Sequence, residues 1–261
     1  MSQNLTYLIT GANRGIGKGF VSALLQNPST TVIAAVRDPS KESSKALSSL
    51  PKANESNLII VKIDSSVHSD PSKAVSQLQK DYNISSIDVV IANAGINHSL
   101  KPVIQNTPEA VIDHFVVNTV GPLALFQATA ELLKACKGKG GNPIFVPIST
   151  ALGTISGMEL LQDFPAAVSP YGGSKAALNW FIRRIHFEEP WLTSFVFHPG
   201  LVLTDMIDYV KGELEDPASA ADALGTISVK ESVSGMLKVL SGASRNISGT
   251  FQQFDGSTFV W

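Results

Sequence analysis

Near the amino terminus the chain reads Thr10-Gly11-Ala12-Asn13-Arg14-Gly15-Ile16-Gly17. This stretch directly follows a short apolar run, Leu5–Thr10, and opens a segment with helical spacing, Ile16–Leu25. A helix that begins after a strand presents free backbone amides and the positive end of its dipole, which together favour a diphosphate. Gly11 permits the tight turn, whereas Gly15 and Gly17 leave room for the diphosphate and for packing of the helix on the strand. Spacing alone leaves a structural and a phosphate-binding role equally open.

A phosphate loop of the nucleotide-triphosphatase type is a competing interpretation of this turn, because Gly17-Lys18 resembles the end of that motif. Its register is wrong for that motif. A glycine is needed five residues before Gly17, where Ala12 stands, and a serine or threonine after the lysine, where Gly19 stands. The turn therefore fits a dinucleotide better than a nucleoside triphosphate.

Apolar, β-branched runs alternate along the chain with stretches of helical spacing. The predicted strands are Leu5–Thr10, Thr31–Val36, Leu58–Ile63, Ile87–Ala92, Pro143–Ser149, Ser194–His198 and Thr250–Phe254. The predicted helices are Ile16–Leu25, Ser40–Leu50, Pro71–Tyr82, Ala110–Leu133, Tyr171–Glu188 and Lys230–Leu240. Strands that are apolar on both faces are typical of a parallel sheet covered by helices on each side. We predict an α/β Rossmann fold with a seven-stranded, mainly parallel, doubly wound sheet.

The length and composition are those of one domain. The 261 residues are 44% hydrophobic, enough for one large core, and no linker or repeat divides residues 1–261. The least regular stretch, Leu201–Ile227, is predicted to be a flexible flap beside the site. The formal net charge is −2 without blocks of like charge, so we expect neither nucleic acid nor a membrane as a partner.

Several residue types are expected to have structural roles only. Cys136 is the only cysteine and lies in no nucleophile motif, and His98, His114 and His198 are assigned to packing or to the surface. No cluster has metal-ligand spacing, so no metal is predicted. The amino terminus lacks a secretory pattern and no apolar run reaches the roughly 18 residues of a membrane span. A cytoplasmic protein is the expectation.

The spacing Gly-x3-Gly-x-Gly after a threonine resembles the short-chain dehydrogenase/reductase family, and further features match that family in order. They are Asp64, Asn93-Ala94-Gly95, Asn118, Ser149, Tyr171-Gly172-Gly173-Ser174-Lys175 and Pro199-Gly200. Within the family the chain is similar to small carbonyl reductases of the C-factor and sniffer type and to fungal ketoreductases such as norsolorinic acid ketoreductase. The resemblance covers nearly the whole chain.

The predicted cofactor is NADP(H) rather than NAD. The second strand ends at Arg37, where a cation suits the 2′-phosphate and a carboxylate would suit a free ribose hydroxyl. Arg14 is expected to close on the phosphate from the other side, and Asp38 to turn away and begin the next turn. The alternative for the two arginines is a solvated surface position.

The family resemblance implies further cofactor contacts. Asp64 resembles the residue that binds the adenine amino group, and Asn93, Ala94 and Gly95 resemble the turn beneath the adenosine ribose. The other residues assigned to the cofactor by this resemblance are Gly11, Asn13, Gly15, Ile16, Gly17, Tyr171, Lys175, Pro199, Gly200, Val202 and Thr204.

Tyr171 and Lys175 are the centre of the candidate catalytic group. Four residues apart in a helix, they share one face, with Cβ atoms about 6 Å apart. The ammonium and an oxidised nicotinamide are both expected to lower the pKa of the phenol from its usual value near 10, and a pKa lower by about two to three would bring it into working range. Ser149, at the end of the fifth strand, can hydrogen-bond the substrate oxygen. By resemblance, Asn118 holds a water of a proton path.

A lone Tyr-x3-Lys is ordinarily an amphipathic helix face, and only Ser149 and the glycine turn favour catalysis here. The expected activity is that of an NADPH-dependent ketoreductase, with a cofactor-binding scaffold and a non-redox dehydratase or cyclase as alternatives.

Apolar walls of the substrate site are expected from Leu152, Ile155, Met158, Leu160, Leu161, Phe164, Met206 and Tyr209, which could equally pack internally. The two longest helices could pair across subunits, so monomer, homodimer and homotetramer stay open.

Overall fold

Strands and helices alternate through residues 4–164, 166–212 and 225–261, which the computed structural model describes. The strands are β1 (Leu5–Thr10), β2 (Thr30–Val36), β3 (Asn57–Lys62), β4 (Val89–Ala92), β5 (Ile144–Pro147), β6 (Thr193–Ser194), β7 (Val196–His198), β8 (Phe251–Gln253) and β9 (Thr258–Phe259). The α-helices are α1 (Gly15–Leu24), α2 (Glu42–Lys45), α3 (Asp70–Tyr82), α4 (Pro108–Phe115), α5 (Gly121–Gly138), α6 (Ser169–Glu188), α7 (Asp205–Gly212) and α8 (Val229–Ser241).

The first six strands form a parallel sheet in the order β3-β2-β1-β4-β5-β6. A second sheet, β7-β8-β9, continues it, since a parallel bridge joins Ile148 to Phe197. The predicted count of seven strands is therefore wrong. The run Ser194–His198 is divided at Phe195, and β9, which pairs antiparallel with β8, is too short to show a period in the sequence.

The core lies in two layers, one on each face of the sheet. Leu78 of α3, Leu125 of α5 and Ile182 of α6 belong to the layer on one face. Phe20 of α1 and Met236 of α8 belong to the layer on the other. Every residue of β2 is buried, as a strand covered on both faces must be. The predicted doubly wound Rossmann fold is confirmed.

The predicted helix Ala110–Leu133 is divided by a π-helical segment, Val116–Val120, between α4 and α5. The whole stretch Pro108–Gly138 is long and apolar enough to cross a membrane by length and composition alone, although polar residues interrupt it. Half of the 18 most apolar consecutive residues of this stretch are buried within the protein, and residues of α5 form part of the core. These properties are those of a core helix of the fold.

The predicted flap, Leu201–Ile227, contains regular structure at its start. Helix α7 occupies Asp205–Gly212, and residues 213–224 lie outside the described part of the chain. The two ends of the flap are joined, because Leu203 N donates to Ile227 O at 3.0 Å and Ile227 N donates to Leu201 O at 2.9 Å. Helix α7 is thereby held at the edge of the sheet where the site lies.

Candidate active site

A cleft of about 650 Å³ opens at the carboxyl ends of the parallel strands. It is lined by Gly11, Asn13, Arg14, Gly15, Ile16, Arg37, Asp64, Asn93, Ala94, Gly95, Ser149, Tyr171, Lys175, Pro199, Gly200, Val202 and Thr204, among other residues. Of the residues predicted for the site, Gly17 and Asn118 are not part of its wall. Side chains from almost the whole length of the sequence thus meet at one edge of the sheet.

The glycine turn has the conformation that its residues predict. Gly11 and Gly15 have φ angles of +63° and +50°, in the left-handed region that favours glycine. A Cβ at Gly17 would collide with the carbonyl oxygen of Gly11 and would stand 2.7 Å from Nδ2 of Asn93. That amide donates to Thr10 O at 2.9 Å and so ties the ends of β1 and β4 together. Gly17 therefore serves the packing beneath the turn.

The exposed guanidinium of Arg37 stands at the end of β2 and faces the cleft. Burial raises the pKa of the Asp64 carboxyl, but hydrogen bonds from Ser66 and the positive charges of Arg37 and Lys62 outweigh it and hold the pKa below its usual range. The Arg37 guanidinium is thus close enough to stabilise the negative charge of Asp64, which follows β3.

Asp38 begins the next turn as expected, but it also lines the cleft beside Arg37 rather than turning away from it. One of its oxygens accepts from Ser40 N at 2.9 Å and from Ser40 Oγ at 2.6 Å. Lys41 and Ser43 also line the cleft, and Asn13 Nδ2 donates to Ser43 Oγ at 2.8 Å. Neither residue was predicted for the site. A second cation four residues after Arg37 was the signal that could have indicated Lys41.

Arg14 lines the same cleft as Arg37 and pairs there with a carboxylate. Its Nη1 lies 2.9 Å from Oδ2 of Asp205, at the start of α7, and both side chains are more than two-thirds exposed. The tertiary fold brings this carboxylate to Arg14 from 191 residues away in the chain. That Arg14 closes on a phosphate beside Arg37 stays a prediction.

Tyr171 and Lys175 lie in the first two turns of α6, as predicted. Lys175 Nζ donates to Ile148 O at 2.7 Å and lies 5.9 Å from the centre of the Tyr171 ring. Burial raises the pKa of the Tyr171 phenol to about 12 and lowers the pKa of Lys175 to about 8. The expected lowering of the Tyr171 pKa is wrong for the protein alone, because burial of the phenol raises its pKa.

Ser149 lies just beyond β5 and is fixed by two bonds. Its backbone N donates to Phe197 O at 2.7 Å, and its Oγ donates to Oδ1 of Asn179 at 2.6 Å. Asn179 was not predicted. Its spacing was nevertheless a signal, because it follows Tyr171 and Lys175 at successive intervals of four residues and thus lies on the same side of α6.

Asn118 lies in the π-helical segment, fully buried behind the cleft wall. Its Oδ1 accepts from Ile96 N at 2.8 Å, and its Nδ2 donates to Ile96 O at 2.9 Å and to Ser174 Oγ at 3.0 Å. A Cβ at Gly95 would stand 3.1 Å from that Oδ1 and 3.6 Å from Lys175 Nζ. In this structure Asn118 holds the turn after β4 against α6.

Only half of the residues predicted for the apolar wall line the cleft. Leu152, Phe164, Met206 and Tyr209 line the cleft, whereas Ile155, Met158, Leu160 and Leu161 do not. Ile155, Met158 and Leu160 are 70%, 59% and 73% exposed. The hydrophobic pattern could not separate these two groups, because the segment has no single period and its direction is set by packing.

The residues expected to be structural have structural partners. His198 is neutral, since burial lowers its pKa to about 4, and its Nδ1 accepts from Ala151 N at 3.2 Å. His114 is buried, and its Nε2 accepts from His98 N at 3.3 Å. Burial raises the pKa of the Cys136 thiol to about 12, which makes this cysteine unreactive.

A family model described as short chain dehydrogenase matches residues 6–215. The chain belongs to the short-chain dehydrogenase family. This membership makes it an oxidoreductase of a family that uses a nicotinamide cofactor, and it accounts for a glycine turn, a serine and a Tyr-x3-Lys pair that share one cleft.

Relatives of this short-chain dehydrogenase cover its full length. A norsolorinic acid ketoreductase of Dothistroma septosporum is 42% identical over 100% of this chain and 94% of its own. A norsolorinic acid ketoreductase of Emericella nidulans is 38% identical over 98% of this chain and 93% of its own. An NADPH-bound carbonyl reductase from chicken fatty liver superposes with a TM-score of 0.83 at 33% identity, covering 98% of each chain.

Proposed function

We propose that this short-chain dehydrogenase is an NADPH-dependent carbonyl reductase whose substrate is an apolar, aromatic ketone. One observation carries the proposal: Ser149, Tyr171 and Lys175 face the same cleft as the glycine turn and Arg37. The names of the relatives support it, because they are ketoreductases and a carbonyl reductase.

The residues of the cleft fit a dinucleotide. Its volume of about 650 Å³ lies in the range of cofactor and ligand sites, roughly 300–1,000 Å³. The turn presents backbone without side chains at Gly11 and Gly15, beside the start of α1, where a diphosphate is favoured. The adenosine ribose would lie on Asn93 and Gly95, and Lys175 would hold the nicotinamide ribose. Val202 and Thr204 would meet the carboxamide and the diphosphate, and all five residues are in the cleft wall.

Selection of NADP(H) over NAD(H) follows from the charges at the end of β2. Arg37 and Lys41 both line the cleft and can pair with a 2′-phosphate. The Asp38 carboxylate accepts two hydrogen bonds from Ser40 and is less available to a ribose hydroxyl. Arg14 is engaged by Asp205, so we assign the phosphate to Arg37 and Lys41 first.

When bound, the nicotinamide supplies the hydride that reduction of a carbonyl carbon needs. Tyr171, with a pKa of about 12, is protonated at neutral pH and can give its proton to the carbonyl oxygen. Lys175, with a pKa of about 8, is mostly charged at pH 7 and favours the phenolate that remains. Ser149 lines the same cleft and is the second polar group that can hydrogen-bond the substrate oxygen.

The substrate class follows from the remaining wall. Leu152, Phe164, Met206 and Tyr209 offer apolar and aromatic contacts next to Tyr171. Such walls favour a flat, aromatic ketone, and the relatives named for norsolorinic acid make a polyketide-type ketone of secondary metabolism the specific candidate.

The test is the reduction of norsolorinic acid and of simpler aryl ketones by NADPH in which both hydrogens at nicotinamide C4 are replaced by deuterium. We expect loss of absorbance at about 340 nm together with one deuteron on the product carbinol carbon. A product without the label would refute the reductase and would favour a dehydratase or cyclase. Tight cofactor binding without turnover on a broad panel of ketones and quinones would favour a scaffold.

A further inference from the structure

A side-chain amide in the wall of the cleft lacks a hydrogen-bond partner inside the protein. Asn97 lines the cleft, and its Oδ1 is buried without a partner in the part of the chain that the structure describes. Buried polar atoms of folded proteins are nearly all hydrogen-bonded, so an exception needs a physical reason. Among the described residues, Ser194 Oγ is the other buried side-chain oxygen of this kind, and it lies outside the cleft wall. Asn97 is thus the one of the two that lies beside a ligand site.

The backbone groups on either side of Asn97 already have partners. Ile96 N donates to the Asn118 amide oxygen at 2.8 Å, and Ile96 O accepts from the Asn118 amide nitrogen at 2.9 Å. His98 N and O are bonded at 3.3 Å and 3.4 Å to side chains of α4 and α7. These bonds fix the backbone of the turn after β4 and leave the Asn97 amide to the cleft. Its hydrogen-bonding groups are therefore open to a molecule that binds there.

Asn97 lies between the catalytic pair and the apolar wall. A Cβ at Gly95 would stand 3.6 Å from Lys175 Nζ. Two residues of chain span at most about 7 Å, so the Cα atom of Asn97 is within that distance of the Cα atom of Gly95. On the other side, the Tyr209 hydroxyl donates to His98 O at 3.4 Å, which joins this segment to the apolar wall. A ketone whose carbonyl oxygen lies at the catalytic pair therefore has its ring system within reach of Asn97.

We propose that Asn97 binds a hydroxyl group on the aromatic ring of the ketone and so selects hydroxylated substrates. The inference rests on the proposed function and adds to it a polar substituent away from the reacting carbonyl. An amide carries a donor and an acceptor, and rotation about χ2 exchanges the two, so either can face the cleft. A hydroxyl group both donates and accepts, which lets it bond either atom. Ser149 and Tyr171 keep their roles at the carbonyl oxygen.

The test compares 1-tetralone with its four isomeric derivatives that carry one hydroxyl on the aromatic ring. Dissociation constants are measured by calorimetry on the complex with NADPH, in protein that carries Tyr171→Phe so that the ketones are not consumed. Adding Asn97→Leu should weaken one or two of the isomers by about fivefold relative to 1-tetralone, the factor that corresponds to one neutral hydrogen bond. The isomers whose hydroxyl points elsewhere should keep their ratio to 1-tetralone.

A second variant and a control accompany Asn97→Leu. Asn97→Ala removes the amide without adding apolar surface to the wall, so it should weaken the same isomers. Ser194→Ala is the matched control, because it removes the other buried oxygen that lacks a partner among the described residues, outside the cleft. It should change none of the ratios. Both Asn97 variants should change the dissociation constant of NADPH by less than about twofold, since the amide is assigned to the ketone.

Three results would overturn the proposal. The first is that the ratios of all isomers stay unchanged in both Asn97 variants. The second is an equal shift of all isomers, because a hydrogen bond favours one position of the hydroxyl whereas general polarity of the wall favours every position. The third is weaker binding of NADPH by more than about twofold, which would assign the amide to the cofactor. Absence of label transfer from deuterated NADPH would instead refute the reductase alone, since these binding ratios need no turnover.

Discussion

Replacement of Arg37 by alanine tests the assignment of the 2′-phosphate. A charge-assisted hydrogen bond is worth about 1.5–3 kcal/mol. Because Arg37 is exposed, water and salt screen it, and we take about 1.4 kcal/mol, just below that range. That energy corresponds to an increase of about tenfold in the dissociation constant of NADPH. NADH lacks the phosphate, so its dissociation constant should change less than about twofold.

The assay is a titration of each purified variant with NADPH and NADH, followed by the fluorescence of the reduced cofactor at low and at high salt. The effect of Arg37→Ala on NADPH should shrink as salt is raised, because the lost contact is between exposed charges. Arg184→Ala is the control: it removes the same charge from an exposed arginine that pairs with Glu188 at 2.7 Å on α6, outside the cleft wall. It should alter neither affinity.

Two results would refute the reasoning. Equal weakening of NADPH and NADH by Arg37→Ala would mean that Arg37 holds a part common to both cofactors. Equal effects of Arg37→Ala and Arg184→Ala would mean that only the total charge matters.

Three further predictions concern the catalytic pair and the turn. Tyr171→Phe should lower kcat by about 10²–10⁴-fold, the usual contribution of a proton donor, and change the NADPH dissociation constant by less than about twofold. Stopped-flow rates near those of the native enzyme would contradict the mechanism. For ketone reduction, kcat/KM should fall as pH rises through about 8, because Lys175 loses its proton there while Tyr171, with a pKa of about 12, keeps its proton. A value of kcat/KM that stays constant up to pH 10 would exclude a need for the ammonium. Gly17→Ala would force a Cβ onto the Gly11 carbonyl and the Asn93 amide, and should lower the free energy of unfolding by about 1–3 kcal/mol, measured by urea denaturation. Gly138→Ala is the control, since a Cβ at Gly138 meets nothing within 4 Å.

The sequence by itself determined the fold class and most of the cleft. The glycine turn, the strand that ends before Ser149 and the spacing of Tyr171 and Lys175 are local patterns, each contained in a few residues or one helical period. Parallel strands align their carboxyl ends at one edge, so residues that follow those strands meet without further information. For that reason the predicted catalytic and cofactor-binding residues line one cleft, apart from Gly17 and Asn118.

Only the tertiary structure decided what those residues face. Arg14 pairs with Asp205 across the cleft, and Ser149 donates to Asn179, because packing brings together residues far apart in the chain. The pKa of Tyr171 rises although the neighbouring ammonium was expected to lower it, since solvation depends on everything packed around the phenol. Such contacts and desolvation are properties of the assembled core, and no short pattern in the sequence encodes them.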